Sequence, residues 1–264
     1  MEKYIGDYFD KIYVLNLLER EDRRQFMVGE LKAWGVYDRL ISDGKLEIIE
    51  AIKLPWVKEP VVKAINDNGL GTFRSYGVHN VGLYNCTCEH YKIIKRSLLK
   101  GYNRILILED DACLLKDMPR FLEALDTMPQ SFKILHLEGY YWPNAQFPTW
   151  DDALSVLSDN LDTAEWKSCQ LLPLWATGAL IYSKEGMKYY TESQERYAMG
   201  VDYYTCVLQD DAFFYSYPLV RQEDKKETSS DIAAKYSSEY EKSNVYLAKS
   251  DRALYYHMED FKND

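Results

Sequence analysis

The sequence predicts an α/β fold with a mostly parallel central sheet flanked by helices, and three stretches carry that prediction. Residues 104–115 read RILILEDDACLL, an apolar run from Ile105 to Leu108 followed at once by Glu109, Asp110 and Asp111. A short apolar run rich in β-branched residues is the pattern of a strand buried on both faces. Residues 11–34 give a strand, a short basic turn and a helix in which Met27, Leu31 and Trp34 recur at i, i+4 and i+7. Gly35 stands where that helix needs a C-terminal cap. Residues 171–182, LLPLWATGALIY, form a second core-type run, with a helix expected over 183–190.

The remaining elements follow in order. Residues 45–52 suit a strand, and 53–73 a loop with Pro55, Trp56, Pro60, Gly69 and Gly71. Residues 87–99 predict a helix with Tyr91, Ile94 and Leu98 on one face and Gly101 past its end. Asp117 and Pro119 signal the start of a short helix carrying Phe121, Leu122 and Leu125. Residues 132–137 form another strand, ended by Glu138 and Gly139. Residues 140–170, with Trp142, Trp150 and Trp166 among polar residues, read as a long surface excursion. The run 201–217 contains Asp202, Asp210 and Asp211, and residues 223–264 form a polar, Tyr-rich tail. The expected organisation is one domain over 1–222 with the tail packed on it or extending it.

Three adjacent carboxylates cannot run through a core, because unpaired buried charge is very costly. They belong at the carboxyl end of their strand, where open α/β sheets place their ligand crevice. Such acids repel one another unless a cation sits among them, and Mg²⁺ or Mn²⁺ prefers carboxylate oxygen. The plainer alternative is a solvated acidic turn. Arg20, Arg23 and Arg24 occupy the first turn of the first helix, where positive charge opposes the helix dipole. Either they serve a phosphate group or they form an ordinary solvated turn.

Composition limits the function classes. The 264 residues are 47% hydrophobic and 28% charged, ordinary globular values. A net charge of -10 argues against a wide nucleic-acid footprint but allows a small basic pocket for one nucleotide. The five cysteines, Cys86, Cys88, Cys113, Cys169 and Cys206, show no pair of motifs at zinc-site spacing, and reduced thiols in the cytoplasm are the simplest reading. The start lacks a signal-type apolar region and no run reaches membrane-spanning length, so at most peripheral membrane contact is expected.

Five blocks in order resemble glycosyltransferase family 25. YVLNLLEREDRR is similar to the family's opening through Asn16, Leu17, Arg20, Asp22 and Arg23. NCTCEH resembles its Cys/His block through Cys86 and His90, and differs at Asn85, Cys88 and Glu89. ILILEDDA is the closest match. ATGALIYSKEG resembles the next block through Thr177, Gly178, Ala179, Ser183, Lys184 and Gly186, and Val201-Asp202 with Pro218-Leu219-Val220-x-Gln222 the last.

The resemblance implies a GT-A type nucleotide-sugar transferase fold and transfer of a sugar, galactose or similar, with inversion from a donor expected to be UDP-linked. It implies Mn²⁺ or Mg²⁺ held by Asp111, with Glu109 on the metal or the donor ribose and Asp110 orienting the site from its other side. Asn16, Arg20, Arg23, His90, Asp110, Thr177 and Gly178 become candidates for the donor site. An inverting transfer needs a base for the acceptor hydroxyl; Asp202 comes first, with Asp211 and Asp210 as rivals, and each also suits a surface acid. His257 is a candidate third metal ligand or a packing residue. Three alternatives remain: a catalytically silent glycan- or partner-binding relative, a nucleotidyltransferase, whose Gly-rich phosphate loop LNLLEREDRR lacks, and a two-carboxylate glycosidase. The acceptor, a glycan or another hydroxyl, is open.

Overall fold

The computed structural model describes residues 3–52, 81–138, 155–172, 174, 177–197, 201 and 209–222. Seven strands form the central sheet: β1 (Lys11–Leu17), β2 (Leu46–Ala51), β3 (Arg104–Glu109), β5 (Ile134–His136), β6 (Trp166–Ser168), β7 (Ala179–Ser183) and β8 (Ala212–Tyr215), in the order β2-β1-β3-β7-β5-β8-β6. A separate two-stranded ribbon pairs β4 (Ala112–Leu114) with β9 (Val220–Gln222). The described helices are α1 (Glu21–Ala33), α2 (Tyr37–Ser42), α3 (Val81–Leu99), α4 (Met118–Asp126) and α5 (Lys184–Tyr197).

Parallel pairing joins β2 to β1, β1 to β3 and β5 to β8, whereas β7 and β6 run against their neighbours. The sheet is therefore mixed, with most strands pointing one way. The carboxyl ends of β1, β2, β3, β5 and β8 share one edge, and that edge carries the acids.

Strand alternation divides the core in two. Ile12, Val14, Leu106, Leu108, Leu135 and Ile181 face α1, α2 and α4, where they meet Phe26, Met27, Leu31, Leu40 and Phe121. Tyr13, Leu15, Ile105, Ile107, Leu180 and Tyr182 face α3 and α5, where they meet Ile93, Ile94, Met187 and Tyr190. Burying both faces is what calls for the uninterrupted apolar runs of β1 and β3.

The local signals act as their chemistry requires. Gly35 and Gly101 adopt φ of 68° and 76° at the ends of α1 and α3, a conformation that costs an L side chain. Asp117 caps α4, accepting the Arg120 N–H at 3.1 Å.

Several expectations need correction. Helix α3 begins six residues before the expected start, and α5 extends to Tyr197. The most buried positions of α3 include His90, Ile93, Ile94 and Ser97, with Tyr91 and Leu98 at the margin. The cause is partly polar, since the Ser97 hydroxyl meets the buried Tyr13 hydroxyl at 2.8 Å. Residues 140–170 are not wholly a surface excursion: β6 closes the sheet edge, Leu157 and Cys169 are buried, and Trp166 packs edge-on against Tyr215 at 5.2 Å. The short elements α2, β4 and β9 lacked enough periodicity to be read. Residues 53–80 and the tail 223–264 lie outside the described residues.

Candidate functional site

Strand β3 ends at Glu109, and the next two acids leave the sheet at its carboxyl edge. Alternation sends Glu109 to the α3 side and Asp110 to the α1 side. Asp110 is bound from three directions. Its Oδ2 accepts Asn16 Nδ2 at 2.9 Å and the Leu17 N–H at 3.2 Å, and its Oδ1 accepts Arg23 Nη1 at 2.8 Å. Asn16 also donates to the Arg20 carbonyl at 3.0 Å, tying the end of β1 to the start of α1.

Arg23 explains the basic first turn. Its buried guanidinium lies between two carboxylates, with Nη1 also 3.3 Å from Asp111 Oδ2. These charges outweigh the cost of burial and raise its pKa. Arg20 behaves differently. It forks onto exposed Asp22 at 2.9 and 2.7 Å and contributes to the site mainly through its backbone carbonyl.

Asp111 is 3% exposed. Its Oδ2 also accepts Gln222 Nε2 at 3.0 Å from β9. Its Oδ1 is buried with no hydrogen-bond partner among the described residues. Burial pushes this carboxyl up to about 7; Arg23 and Gln222 lower it, and Asp110 and Glu109 raise it further. Glu30 of α1 holds the ribbon in place, accepting the Leu114 N–H.

Glu109 faces α3. Its Oε1 accepts from the Thr177 hydroxyl and from Cys86 Sγ at 3.4 Å, and lies 3.5 Å from His90 Nε2. Burial raises its pKa, but His90, Thr177 and Cys86 outweigh that and the net shift is downward. Gly178 accepts the Glu109 N–H at 2.8 Å. A Cβ on Gly178 would stand 2.1 Å from Glu138 Oε2, so the missing side chain leaves room for that buried carboxylate.

Asn16, Arg23, His90, Glu109, Asp110, Asp111, Thr177 and Gly178 thus share the carboxyl edge. Asp211 is elsewhere: it precedes β8 at the amino edge, where it pairs with Lys133 at 2.6 Å. Asp210 is beside it, accepting from Gln170. Asp202 and His257 lie outside the described residues. Three neighbours of the site were not among the sequence candidates. Gln222 stood in the last block, Cys86 lies one helical turn before His90, and Glu138 follows an apolar strand as Glu109 does.

Among the described residues the site is a carboxylate cluster with one guanidinium inside it and a buried carboxylate oxygen without a hydrogen-bond partner, at the carboxyl edge of an α/β sheet. The sequence model of glycosyltransferase family 25 (LPS biosynthesis protein) matches residues 9–159, more than half of the chain, including β1, α1, α3, the acidic tip and β5. No described helix is long and apolar enough to cross a membrane. The chain belongs to glycosyltransferase family 25 and is a glycosyltransferase.

Proposed function

We propose that this glycosyltransferase moves a hexose, galactose or a close relative, with inversion from a UDP-linked donor to a hydroxyl of a lipopolysaccharide-type glycan, assisted by Mn²⁺ or Mg²⁺. The observation that carries the reading is Asp111 Oδ1, a buried carboxylate oxygen without a partner among the described residues. A polar atom of that kind is costly unless a ligand satisfies it. Glu109, Asp110 and Asp111 together bring three negative charges and Arg23 one positive charge, which fits a hard divalent cation. Asp111 would hold the cation through Oδ1. Glu109 Oε1 is engaged by Thr177 and Cys86, which leaves Oε2 for the cation or the donor ribose. When bound, the cation neutralises diphosphate oxygens and stabilises the leaving group as a Lewis acid.

The protein's own groups do the positioning. Arg23 holds Asp110 and Asp111 at a fixed spacing, and Asn16 locks Asp110 to the first βα turn. Gly178 lets Glu138 approach the same edge. Asp202 is the base we assign to the acceptor hydroxyl; its chain neighbour Val201 is buried and donates its N–H to Thr87 of α3 at 3.1 Å. Asp211 is not proposed, because its ion pair with Lys133 lies at the opposite sheet edge.

The test is release of nucleoside diphosphate from a panel of nucleotide sugars, with Mn²⁺ or with chelator, by the wild type and Asp111→Asn. The expected result is turnover of a UDP-sugar that chelator and the substitution both abolish. Turnover indifferent to both would overturn the assignment.

A further inference from the structure

We propose that Cys86, His90 and Glu109 form a zinc-binding site on the α3 side of the acidic tip. Cys86 and His90 stand at i and i+4, so successive turns of α3 present a thiol and an imidazole on one face. The end of β3 supplies the carboxylate opposite them.

The spacing suits one small cation. Cys86 Sγ lies 3.4 Å from Glu109 Oε1, His90 Nε2 lies 3.5 Å from the same oxygen, and the three ligand atoms are all within 4.8 Å of one another. Zinc bonds of 2.0 to 2.3 Å in a tetrahedron put neighbouring ligands roughly 3.3 to 3.8 Å apart. Two of the three separations already have that value, and the third closes with a side-chain adjustment.

A second observation also points to a ligand. His90 is 0% exposed, and both its ring nitrogens lack a hydrogen-bond partner among the described residues. The 3.5 Å approach of Nε2 to Glu109 does not satisfy it. A buried imidazole left in that state is costly, and a metal on Nε2 removes half of the deficit. Sulfur with imidazole selects a borderline-soft cation over Mg²⁺ or Mn²⁺, which makes zinc the expected occupant. Three protein ligands leave the fourth tetrahedral position for water or a substrate oxygen.

The site shares Glu109 with the donor cation but rests on different atoms and does not depend on the sugar-transfer reading. The test uses the full chain, stripped of metal and then titrated with Zn²⁺ against a chromophoric chelator. In parallel, Co²⁺ replaces zinc and reports sulfur ligation through its thiolate charge-transfer band. We expect one zinc per chain. Affinity should fall by more than about a hundredfold in Cys86→Ser and in His90→Gln, beyond what loss of a supporting hydrogen bond costs a metal site. The cobalt band should vanish in Cys86→Ser and persist in Cys88→Ser, whose residue lies about 200° around the helix. Should His90→Gln fail to fold, Cys86→Ser decides, since it exchanges only sulfur for oxygen. Folded wild type that takes up no zinc, or a cobalt band surviving in Cys86→Ser, overturns the proposal.

Discussion

Replacing Arg23 by methionine tests how the acidic tip is held together. Methionine keeps much of the side-chain volume and removes only the charge and its hydrogen bonds. The guanidinium lies 2.8 Å from Asp110 and 3.3 Å from Asp111, and all three side chains are 7% exposed or less. Removing one partner of a buried ion pair costs about 3 to 5 kcal/mol, because the other charge stays buried and uncompensated. For a chain of this size that corresponds to a fall of roughly 6 to 20 °C in Tm. Asp110 retains Asn16 and the Leu17 N–H, so most of the loss falls on Asp111, which keeps only Gln222 among the described residues.

The sign of the pH dependence follows. Burial already holds the folded pKa of Asp111 above its unfolded value, at about 7. Its protonated form therefore favours the folded state, and that contribution is lost as pH rises through the folded pKa. Without Arg23 the pKa rises further, so the deficit of Arg23→Met should be larger at pH 8 than at pH 5. Urea unfolding followed by circular dichroism at both pH values measures it. A loss below about 1 kcal/mol, the scale of an exposed ion pair, or an equal loss at both pH values, would mean that Arg23 does not hold the buried acids together.

Other outcomes follow from separate parts of the molecule. His136 is fully buried and its pKa is lowered to about 4 by burial. The unfolded chain takes up a proton that the folded one refuses, so stability present above pH 6.5 is lost as pH falls to 4. The loss is about 3 kcal/mol, and in His136→Met the same titration of unfolding free energy should lack this one-proton slope. Gly186→Ala would bring a Cβ within 1.9 Å of the Lys133 carbonyl oxygen where α5 meets β5. Thermal unfolding should show destabilisation of about 1 to 3 kcal/mol. Asp202→Asn should keep donor affinity and lose sugar transfer, measured by calorimetry and by diphosphate release; unimpaired transfer would assign the base elsewhere.

The strand tip was the most legible part of the chain because two physical demands coincide there. Four consecutive apolar residues require burial on both faces, and three consecutive acids cannot continue such a strand unpaired, so β3 ends at Glu109; Asp110 and Asp111 are still buried, but only beside Arg23. The first helix was equally plain, since Met27, Leu31 and Trp34 all reach the core. The excess of arginine in its first turn marked the site without revealing its role. In sequence such a turn suits a phosphate group or plain solvent equally, whereas Arg23 faces inward and neutralises the neighbouring acids.

What could not be read depends on contacts distant in the chain. Gln222 reaches Asp111 only because the three-residue β9 pairs with β4, and elements that short carry no periodicity. Asp211 shows the same limit: an acid before a strand and one after it look alike in sequence, and only the strand's direction puts Asp211, which precedes β8, at the edge opposite Glu109, which ends β3. Cys86 and His90 form no paired-cysteine motif, and their side chains meet Glu109 only because α3 packs beside the end of β3.

Asp111 is the centre of the proposed cation-dependent nucleotide site. Thermal unfolding of wild type and Asp111→Asn with UDP, with and without Mn²⁺, tests it most directly. A ligand at about a hundred times its dissociation constant adds roughly 2.7 kcal/mol to the folded state. The wild-type midpoint should rise only when UDP and Mn²⁺ are both present, and the variant's should not rise. An equal rise in both proteins, or one that UDP produces without the cation, would contradict it.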